Sequence, residues 1–354
     1  SVFCIKSCRS FARGARDYAK RSQLMSTNQA THFQVAHDAI KFWDIECKNL
    51  SFYFQSQNIV YKFEDNNQNF YALRIHRPDY HDLDSLKSEH LWTSFLKDSG
   101  LEVPEALYTI ENEAYAEVKV NGSKQILNVG LVKWIPGVRL KDKIKEDYTE
   151  ELMSRSYRQL GAIIARMHKV SVNFKAPVSF SRHSWDEEGL MGNQPFWKRF
   201  WEIENASSSQ RNDLLKVKNN IYQILKDLPK GREFSMIHAD LHLDNILSFK
   251  DSLTVIDFDD AGFGWHSCDL ANALWDPELL STPLYKIAYE SIVEGYTEIR
   301  EDSGSVIENI ELFILIRSLI ILGWAEDRKE LGYDTMIPSI LDSALETAKE
   351  MNLL

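Results

Sequence analysis

Residues 236–247 read MIHADLHLDNIL, a polar loop between two short apolar runs. Further along, residues 254–260 read TVIDFDD, an apolar run that ends in carboxylates. Transfer of a phosphoryl group needs chiefly a carboxylate that orients the attacking hydroxyl and oxygen ligands that hold Mg²⁺. Asp240 suits the first role, and Asn245 and Asp257 suit the second. Together the two segments predict a phosphoryl-transfer site.

Three other interpretations of the same residues are open. His238, Asp240 and His242 could be the ligands of a metal-dependent hydrolase, because imidazoles and carboxylates suit transition metals. The polar residues could also cap a loop beside a strand and carry no chemistry. A third alternative keeps the fold and nucleotide binding but loses catalysis. The joint occurrence of both segments favours the phosphoryl-transfer site.

Length and charge limit the class of protein. A chain of 354 residues is too long for one small core and fits two lobes. Its formal net charge is −11; residues 1–24 carry six basic side chains and one acid, +5, which leaves −16 for the rest. Such a charge argues against a nucleic-acid partner. We expect residues 1–24 to be a basic, unstructured extension, although a transit peptide has a similar composition.

The cysteine count and the hydropathy of the chain indicate the cellular compartment and whether a segment could span a membrane. Cys4, Cys8, Cys47 and Cys268 are too few for a disulfide framework at this length, so a reducing, cytoplasmic setting is expected. The most apolar run, residues 310–325, contains Glu311 and Arg317 and is too short to span a bilayer comfortably. We therefore expect a buried helix and no membrane partner. The sequence does not specify an oligomeric state.

The region before residue 135 has the pattern of an antiparallel sheet. Apolar residues at positions 36, 40, 43 and 47 predict an amphipathic helix over residues 33–48. Residues 50–54, 58–63 and 69–76 predict three strands joined by polar turns. A helix over residues 82–97 follows, closed by Gly100, and Asn121-Gly122 predicts a hairpin between residues 116–120 and 125–134.

Ile135-Pro136-Gly137 interrupts the last strand, and the apolar period then changes from two to about 3.6. We therefore predict an N-terminal lobe over residues 25–135 and a C-terminal lobe over residues 136–354. Long helices are expected over residues 150–170 and 212–227, with several more after residue 278. Residues 184–188 are expected to form a loop, and His168 to cap or pack a helix end.

HADLHLDN at 238–245 and VIDFDDAG at 255–262 resemble the active-site motifs of the aminoglycoside phosphotransferase and choline kinase-like family, which includes homoserine kinase-like and stress-response kinase-like proteins. LRIHRP at 73–78 and CDLA at 268–271 support the resemblance. It implies an α+β, two-lobed protein-kinase-like fold, with an antiparallel sheet in the N-terminal lobe and mainly helices in the C-terminal lobe. Asp259 stands where protein kinases have glycine, which points to the small-molecule branch.

The resemblance also implies roles for the polar residues. Asp240 would be the catalytic base or hydroxyl-orienting group, and His238 would brace its loop from behind. Asn245 and Asp257 would hold Mg²⁺, and Asp269 would be a buried acceptor that ties down the loop.

ATP, or alternatively GTP, would be the phosphate donor. Arg74 stands where protein kinases have lysine and would bind the phosphates, with Glu89 as its partner. The remaining nucleotide contacts would come from a glycine-free turn, Ser56, Gln57 and Asn58, and from the backbone of Val132, Lys133 and Trp134.

The acceptor would be a small polar molecule with a hydroxyl group, such as an aminoglycoside, choline or homoserine. Aromatic and acidic side chains together suit an ammonium-bearing or sugar-like compound. The candidate acceptor residues are Trp265, His266, Trp275, Asp276, Glu278 and Asp186.

Overall fold

The computed structural model describes residues 30–55, 58–78 and 80–354. These residues form two compact units. The first contains the described residues up to His90 together with Pro104–Trp134, and the second contains Leu91–Val103 and Ile135–Leu354. The predicted basic extension lies outside the described residues.

The first unit is a five-stranded antiparallel sheet with the strand order β1-β2-β3-β5-β4. Alternate residues of the central strands, such as Tyr61, Leu73 and Val129, are buried on one face, where helix α1 packs. The opposite face carries Lys62 and Arg74. The elements of this unit are α1 (residues 30–40), β1 (Lys48–Gln55), β2 (Ile59–Glu64), β3 (Phe70–Ile75), β4 (Ala116–Lys119) and β5 (Ile126–Lys133), and helix α2 (Leu83–Asp98) begins in it.

The first predicted helix is shorter than expected: it ends at residue 40, whereas the pattern predicted residue 48. The chain turns at residues 41–44, and the Trp43 indole N–H donates to Leu107 O at 2.8 Å. Lys48 then pairs with Glu64 in the sheet, which requires extended backbone. The apolar pattern continued past the helix because Trp43 and Cys47 pack on the same core.

The second unit is mainly helical and holds two small three-stranded sheets, ordered β10-β9-β6 and β7-β11-β8. Its strands are β6 (Val138–Arg139), β7 (Ser184–Trp185), β8 (Phe234–Ile237), β9 (Ile246–Phe249), β10 (Ser252–Val255) and β11 (Gly262–Trp265). Its helices are α3 (Leu140–Glu146), α4 (Glu150–Ser171), α5 (Glu187–Met191), α6 (Ser208–Asp227), α7 (His266–Leu274), α8 (Pro277–Leu280), α9 (Leu284–Thr297), α10 (Gly304–Glu308), α11 (Ile310–Glu326) and α12 (Ile337–Glu350).

Helices α4 and α9 approach each other closely because glycine lies at their crossing. A Cβ atom at Gly161 would stand 2.1 Å from Ile292 O, and one at Gly295 would stand 1.9 Å from Arg158 O. Each glycine therefore allows a backbone approach that a side chain would prevent. The crossing brings His168 of α4 next to Tyr296 of α9.

Residues 184–188 were wrongly predicted to be a loop. They form β7 and the start of α5, and Asp186 caps that helix by accepting from the N–H groups of Glu188 and Gly189. Within the described part of the chain, no helix combines the length and apolar character needed to cross a membrane.

Candidate active site

The 238–245 loop follows β8 and is fixed to the segment that leads to Asp257. Strands β9 and β10 pair antiparallel, so Ile246 lies opposite Val255. The Ile256 N–H continues this pairing by donating to Asn245 O at 2.9 Å. At the first residue of the loop, His238 Nε2 lies 3.0 Å from Ile256 O. Asn245 and Asp257 therefore flank one end of the β9–β10 hairpin, next to His238.

Asp240 lies at the centre of this loop, and both oxygens of its carboxylate have partners. Arg317 Nη2 donates to Oδ1 at 2.6 Å. Asn245 Nδ2 donates to Oδ2 at 3.2 Å and to the Asp240 backbone O at 2.9 Å. His242 Nε2 is 3.3 Å from the same Oδ2. The side chain of Asp240 keeps 16% of its surface exposed, so one edge remains open to a ligand.

The two cations set the charge state of Asp240. Burial alone would raise the pKa of this carboxyl, but His242 and Arg317 outweigh it and hold the pKa well below its usual range. Burial alone would lower the pKa of His242, but the Asp240 carboxylate raises that pKa to about 9. At neutral pH, Asp240 is thus a carboxylate between a guanidinium and an imidazolium. It is a weak base and a permanent hydrogen-bond acceptor.

Arg317 is the important residue that the sequence did not reveal. It is 3% exposed, and its guanidinium carbon lies 4.8 Å from the ring centre of Trp197 and 5.6 Å from that of Trp275. Its Nε and Nη1 atoms are buried and have no hydrogen-bond partner among the described residues. Cation–π contact with the two aromatic faces offsets part of the cost of burying these two atoms without hydrogen bonds. The available signal was a single arginine inside the apolar run of α11.

The residues predicted to hold Mg²⁺ have suitable chemistry for it. Because Asn245 uses Nδ2 toward Asp240, its Oδ1 points elsewhere, and it accepts no hydrogen bond from the described residues. Asp257 has φ 63°, a left-handed conformation that aspartate tolerates. An amide oxygen and a carboxylate are hard oxygen ligands of the kind that Mg²⁺ prefers.

The hydrolase interpretation disagrees with the geometry. His238 is fully buried, and burial lowers its pKa, so its ring is neutral. Both ring nitrogens are engaged, Nε2 with Ile256 O and Nδ1 with the Asp240 N–H at 3.3 Å. His238 therefore cannot bind a metal through either nitrogen in this arrangement. No group of three or more His, Cys, Asp or Glu residues with metal-binding geometry occurs in the described ranges.

Side chains of helix α7 fix the backbone of the 238–245 loop through hydrogen bonds. The Asp269 carboxylate accepts from the backbone N–H groups of His238 at 3.0 Å and Ala239 at 2.7 Å. Asn272 Nδ2 donates to Ala239 O at 2.6 Å. These bonds keep Ala239 in a left-handed conformation, φ 65°, which alanine rarely adopts. Asp269 is thus a buried acceptor for this loop, in the position that the family resemblance implied.

His168 extends this support. It is buried, with Nε2 3.0 Å from Asp269 Oδ2 and Nδ1 2.9 Å from the Tyr296 hydroxyl. Its ring stacks on His266 with 4.1 Å between ring centres. Of the two expected roles, that of a packing residue is confirmed and that of a side-chain cap is not; His168 also orients Asp269.

The first unit contains most of the residues predicted to bind the nucleotide, and their role in binding stays a prediction. Arg74 Nη1 lies 3.7 Å from Glu89 Oε1, and both side chains are largely buried. Asn58 is 6% exposed, and its Oδ1 accepts from the Arg77 N–H at 3.4 Å. Ser56 and Gln57 lie outside the described residues.

The predicted hinge contacts need correction. The Lys133 N–H donates to Glu105 O and the Trp134 N–H to Phe70 O, each at 2.9 Å. These two donors are already used by the sheet and are not available to adenine. Val132 is likewise part of β5, opposite Ala72. A contact between adenine and this backbone segment would have to use carbonyl oxygens, and it stays a prediction.

Two predicted acceptor-binding residues belong to the core. Trp265 is 2% exposed, and its indole N–H donates to Pro229 O at 3.1 Å. His266 is fully buried between Ser235 Oγ at 2.8 Å and Arg300 Nη1 at 2.6 Å. Neither can contact a substrate. Their nearness to Asp257 in sequence was misleading because the end of β11 and the start of α7 are both buried in the core.

The other four acceptor candidates already have structural partners. Trp275 faces Arg317 and donates to Ser318 Oγ at 2.8 Å, so its ring does not form an open cage for a ligand cation. Asp276 caps α8 and lies 3.4 Å from Lys141. Exposed Glu278 lies 3.1 Å from Lys145, and Asp186 caps α5 beside Lys230.

Comparisons with known proteins show which proteins this chain resembles. Over 300 residues, 82% of this chain and 83% of the relative, the chain is 25% identical to amicoumacin kinase of Bacillus subtilis (strain 168). Over 271 residues, 76% of this chain and 74% of the relative, it is 24% identical to stress response kinase A of Salmonella choleraesuis (strain SC-B67).

Two solved structures share the fold. The microcompartment-associated aminopropanol kinase matches with a TM-score of 0.72 and 27% identity, over 89% of this chain and 94% of that one. Amicoumacin kinase hAmiN, in complex with AMP-PNP, Ca²⁺ and Ami, matches with a TM-score of 0.71 and 17% identity, over 94% and 96%. The sequence model of the phosphotransferase enzyme family matches residues 55–301. That match spans more than half of the chain, which therefore belongs to the phosphotransferase enzyme family and is a small-molecule kinase.

Proposed function

We propose that this kinase transfers the γ-phosphoryl group of ATP, or alternatively of GTP, to a hydroxyl group of a small polar molecule, directly and in line. The observation that carries the proposal is the convergence of Asp240, Asn245 and the segment before Asp257 around one loop. Complexes with AMP-PNP among solved structures of the same fold support ATP as the donor.

In this mechanism, Asp240 is the catalytic residue that touches the acceptor. Its open edge accepts a hydrogen bond from the hydroxyl and aims the oxygen at the phosphorus atom. Arg317 and His242 keep the carboxylate ionised and fix its orientation. Because the pKa of Asp240 is low, orientation of the hydroxyl contributes more than early removal of its proton.

The remaining residues bind the donor. Asn245 and Asp257 would hold a divalent cation, which when bound neutralises charge on the nucleotide phosphates. Arg74 would bind phosphate through its planar fork, and Glu89 would orient it. His238 and Asp269 are positioning residues, since they act only through the loop backbone.

For the acceptor, we propose an amino alcohol or a larger hydroxylated amine. The 27% identity with the aminopropanol kinase and the 25% identity with amicoumacin kinase support this class. Because Arg317 already covers the faces of Trp197 and Trp275, an ammonium group would be recognised by carboxylates rather than by these rings. We also keep a cytoplasmic setting as a proposal, supported by the free thiols of Cys47 and Cys268.

Turnover measurements on Asp240→Asn test the proposal. ATP consumption is measured with Mg²⁺ and a panel of aminopropanol, ethanolamine, choline, homoserine, amicoumacin and hygromycin B. We expect the wild type to phosphorylate at least one compound, and Asp240→Asn to lower kcat by roughly 100-fold or more. Nucleotide affinity should change little, because Asp240 contacts the acceptor.

Asp251→Asn is the matched control, since Asp251 is an exposed aspartate in the β9–β10 turn of the same region. It should turn over like the wild type. Wild-type turnover in Asp240→Asn would contradict the role of Asp240. Binding of Mg·ATP with no product across the panel would instead favour a nucleotide-binding protein without transfer activity.

A further inference from the structure

A cavity of about 890 Å³ lies beside β8 and β11. Its walls come from the end of α4, the segment before β8, the first residues of β8 and the segment after α9. None of His238, Asp240, Asn245 and Asp257 lines it. The cavity is therefore separate from the candidate active site, although β8 connects the two.

Arg300 is the unusual residue in the cavity wall. It is 6% exposed, and its Nη1 atom contacts His266 Nδ1 at 2.6 Å and the Tyr296 hydroxyl at 3.2 Å. Both partners are neutral acceptors. Among the described residues, no carboxylate lies within ion-pair distance of Arg300, so a nearly buried guanidinium lacks a counter-ion. Such a charge is costly to bury unless an anion pairs with it.

Together with Arg300, the charged residues of the wall are three cations and two carboxylates, a net charge of +1. Lys169 is exposed and has no ion-pair partner in the described ranges. Arg232 lies 3.3 Å from Asp302, but both side chains are mostly exposed, so this pair is weak. Glu301 is an exposed carboxylate. Arg300 and Lys169 are thus the two cations that remain for a ligand.

We propose that this cavity binds a small organic anion whose phosphate or carboxylate group pairs with Arg300 and Lys169. Its volume is within the range usual for small-molecule sites. Phe174, Phe234 and Phe263 supply apolar wall for the rest of such a ligand. Charge-assisted hydrogen bonds to a guanidinium hold anions with defined geometry.

Arg300 is also the first member of a hydrogen-bonded chain that ends at the 238–245 loop. Arg300 donates to the Tyr296 oxygen, and the Tyr296 O–H donates to His168 Nδ1. Burial, followed by the charge of Arg300, keeps the pKa of His168 well below its usual range. The neutral ring therefore donates through Nε2 to Asp269, which accepts from the loop N–H groups. An anion that binds to Arg300 therefore acts on the hydrogen-bond network that supports the loop of Asp240.

Anion binding is tested on the full chain by calorimetric titration with inorganic phosphate and, separately, with citrate, against KCl at equal ionic strength. We expect at least one of the two to bind where KCl gives no signal, and the tighter ligand identifies the preferred group. Arg300→Met should weaken binding by about tenfold or more, and Lys169→Ala by a few-fold. The two substitutions should leave kinase-independent properties such as the far-UV spectrum unchanged.

Arg166→Ala is the matched control, because Arg166 is an exposed cation one turn earlier on α4 and does not line the cavity. It should bind like the wild type. Arg74→Met should keep the binding that Arg300→Met weakens, which separates this cavity from a nucleotide phosphate site. If Arg300→Met does not fold, Lys169→Ala carries the test. No binding of either anion, or equal binding in the wild type and Lys169→Ala, would overturn the proposal.

The link to the loop has its own measurement. Hydrogen exchange of the peptide that contains residues 238–245 should slow by several-fold when the anion is bound to the wild type. In Lys169→Ala, the same anion concentration should have a smaller effect. Tight binding with unchanged exchange in this peptide would overturn the link. Neither readout needs turnover, so failure of the proposed kinase reaction would not affect them.

Discussion

At the scale of single residues, the environment of Asp240 depends on Arg317. Without the 2.6 Å contact to Arg317 Nη2, the Asp240 carboxylate would be held only through Oδ2, by Asn245 and His242. Arg317→Met keeps the length of the side chain between Trp197 and Trp275 but removes the charge. We expect kcat to fall by roughly ten- to 100-fold, because Asp240 loses the contact that orients Oδ1 and one of the two charges that lower its pKa. The measurement is kcat and KM with the best acceptor of the panel.

A double-mutant cycle distinguishes this effect from loss of structure. If Arg317 acts through Asp240, then Arg317→Met should lower kcat much less in the Asp240→Asn background than in the wild type. Arg317→Lys should recover part of the loss, since it restores a charge without the planar fork. If Arg317→Met lowered kcat by the same factor in both backgrounds, Arg317 would act independently of Asp240.

At the scale of elements, helix α7 controls the loop through one carboxylate. Burial raises the pKa of Asp269 to about 6. Above that pH, the ionised group can accept from His238, Ala239 and His168 together. Below it, a proton occupies one oxygen, and the three donors compete for the remaining acceptor sites. We therefore expect kcat at saturating substrates to fall as pH decreases through about 6.

Over the same pH range, the contribution of Asp269 to the free energy of unfolding should change in the direction opposite to kcat. An acid with a higher pKa in the folded state than its value of about 3.9 in the unfolded chain binds more protons when folded between pH 4 and 6. The contribution of Asp269 to the free energy of unfolding is thus largest at low pH and decreases as pH rises through that window. Kinetics and thermal unfolding from pH 5 to 8 check both signs. A parallel fall of kcat and of the unfolding temperature toward pH 5 would contradict the assignment.

The crossing of α4 and α9 is a second feature at this scale. Gly161→Ala would place a Cβ atom 2.1 Å from Ile292 O, so the two helices would have to separate. We expect the free energy of unfolding to fall by about 1–3 kcal/mol or more, as for other overpacked cores. Gly304→Ala is the control, because its Cβ would meet no atom within 4 Å. Equal stability of the two variants in denaturant unfolding would show that the helices adjust without cost.

At the scale of the whole molecule, the features that could be predicted from the sequence are those set by residues close together in the chain. The 238–245 loop could be identified because its polar groups lie within a few positions of one another, and the strands followed from their alternation. Arg317 could not be identified, since its contact with Asp240 joins residues 77 positions apart. The same holds for His168 and Tyr296, which are 128 positions apart. Trp265 and His266 were misassigned because proximity in sequence to Asp257 says nothing about exposure.

The proposed donor-binding residues Arg74, Asn245 and Asp257 predict how the affinity for Mg·nucleotide should respond to substitution. A substitution at any one of these residues should weaken that affinity. For the wild type, AMP-PNP with Mg²⁺ at 100 times Kd should raise the free energy of unfolding by roughly 2.7 kcal/mol. Chelation of the metal, Asp257→Asn or Arg74→Met should each remove most of this gain, whereas Asp251→Asn should keep it. Thermal unfolding with and without the ligand measures all five. Full stabilisation by AMP-PNP in the presence of a chelator and in Asp257→Asn would show that the nucleotide binds without the proposed metal ligands.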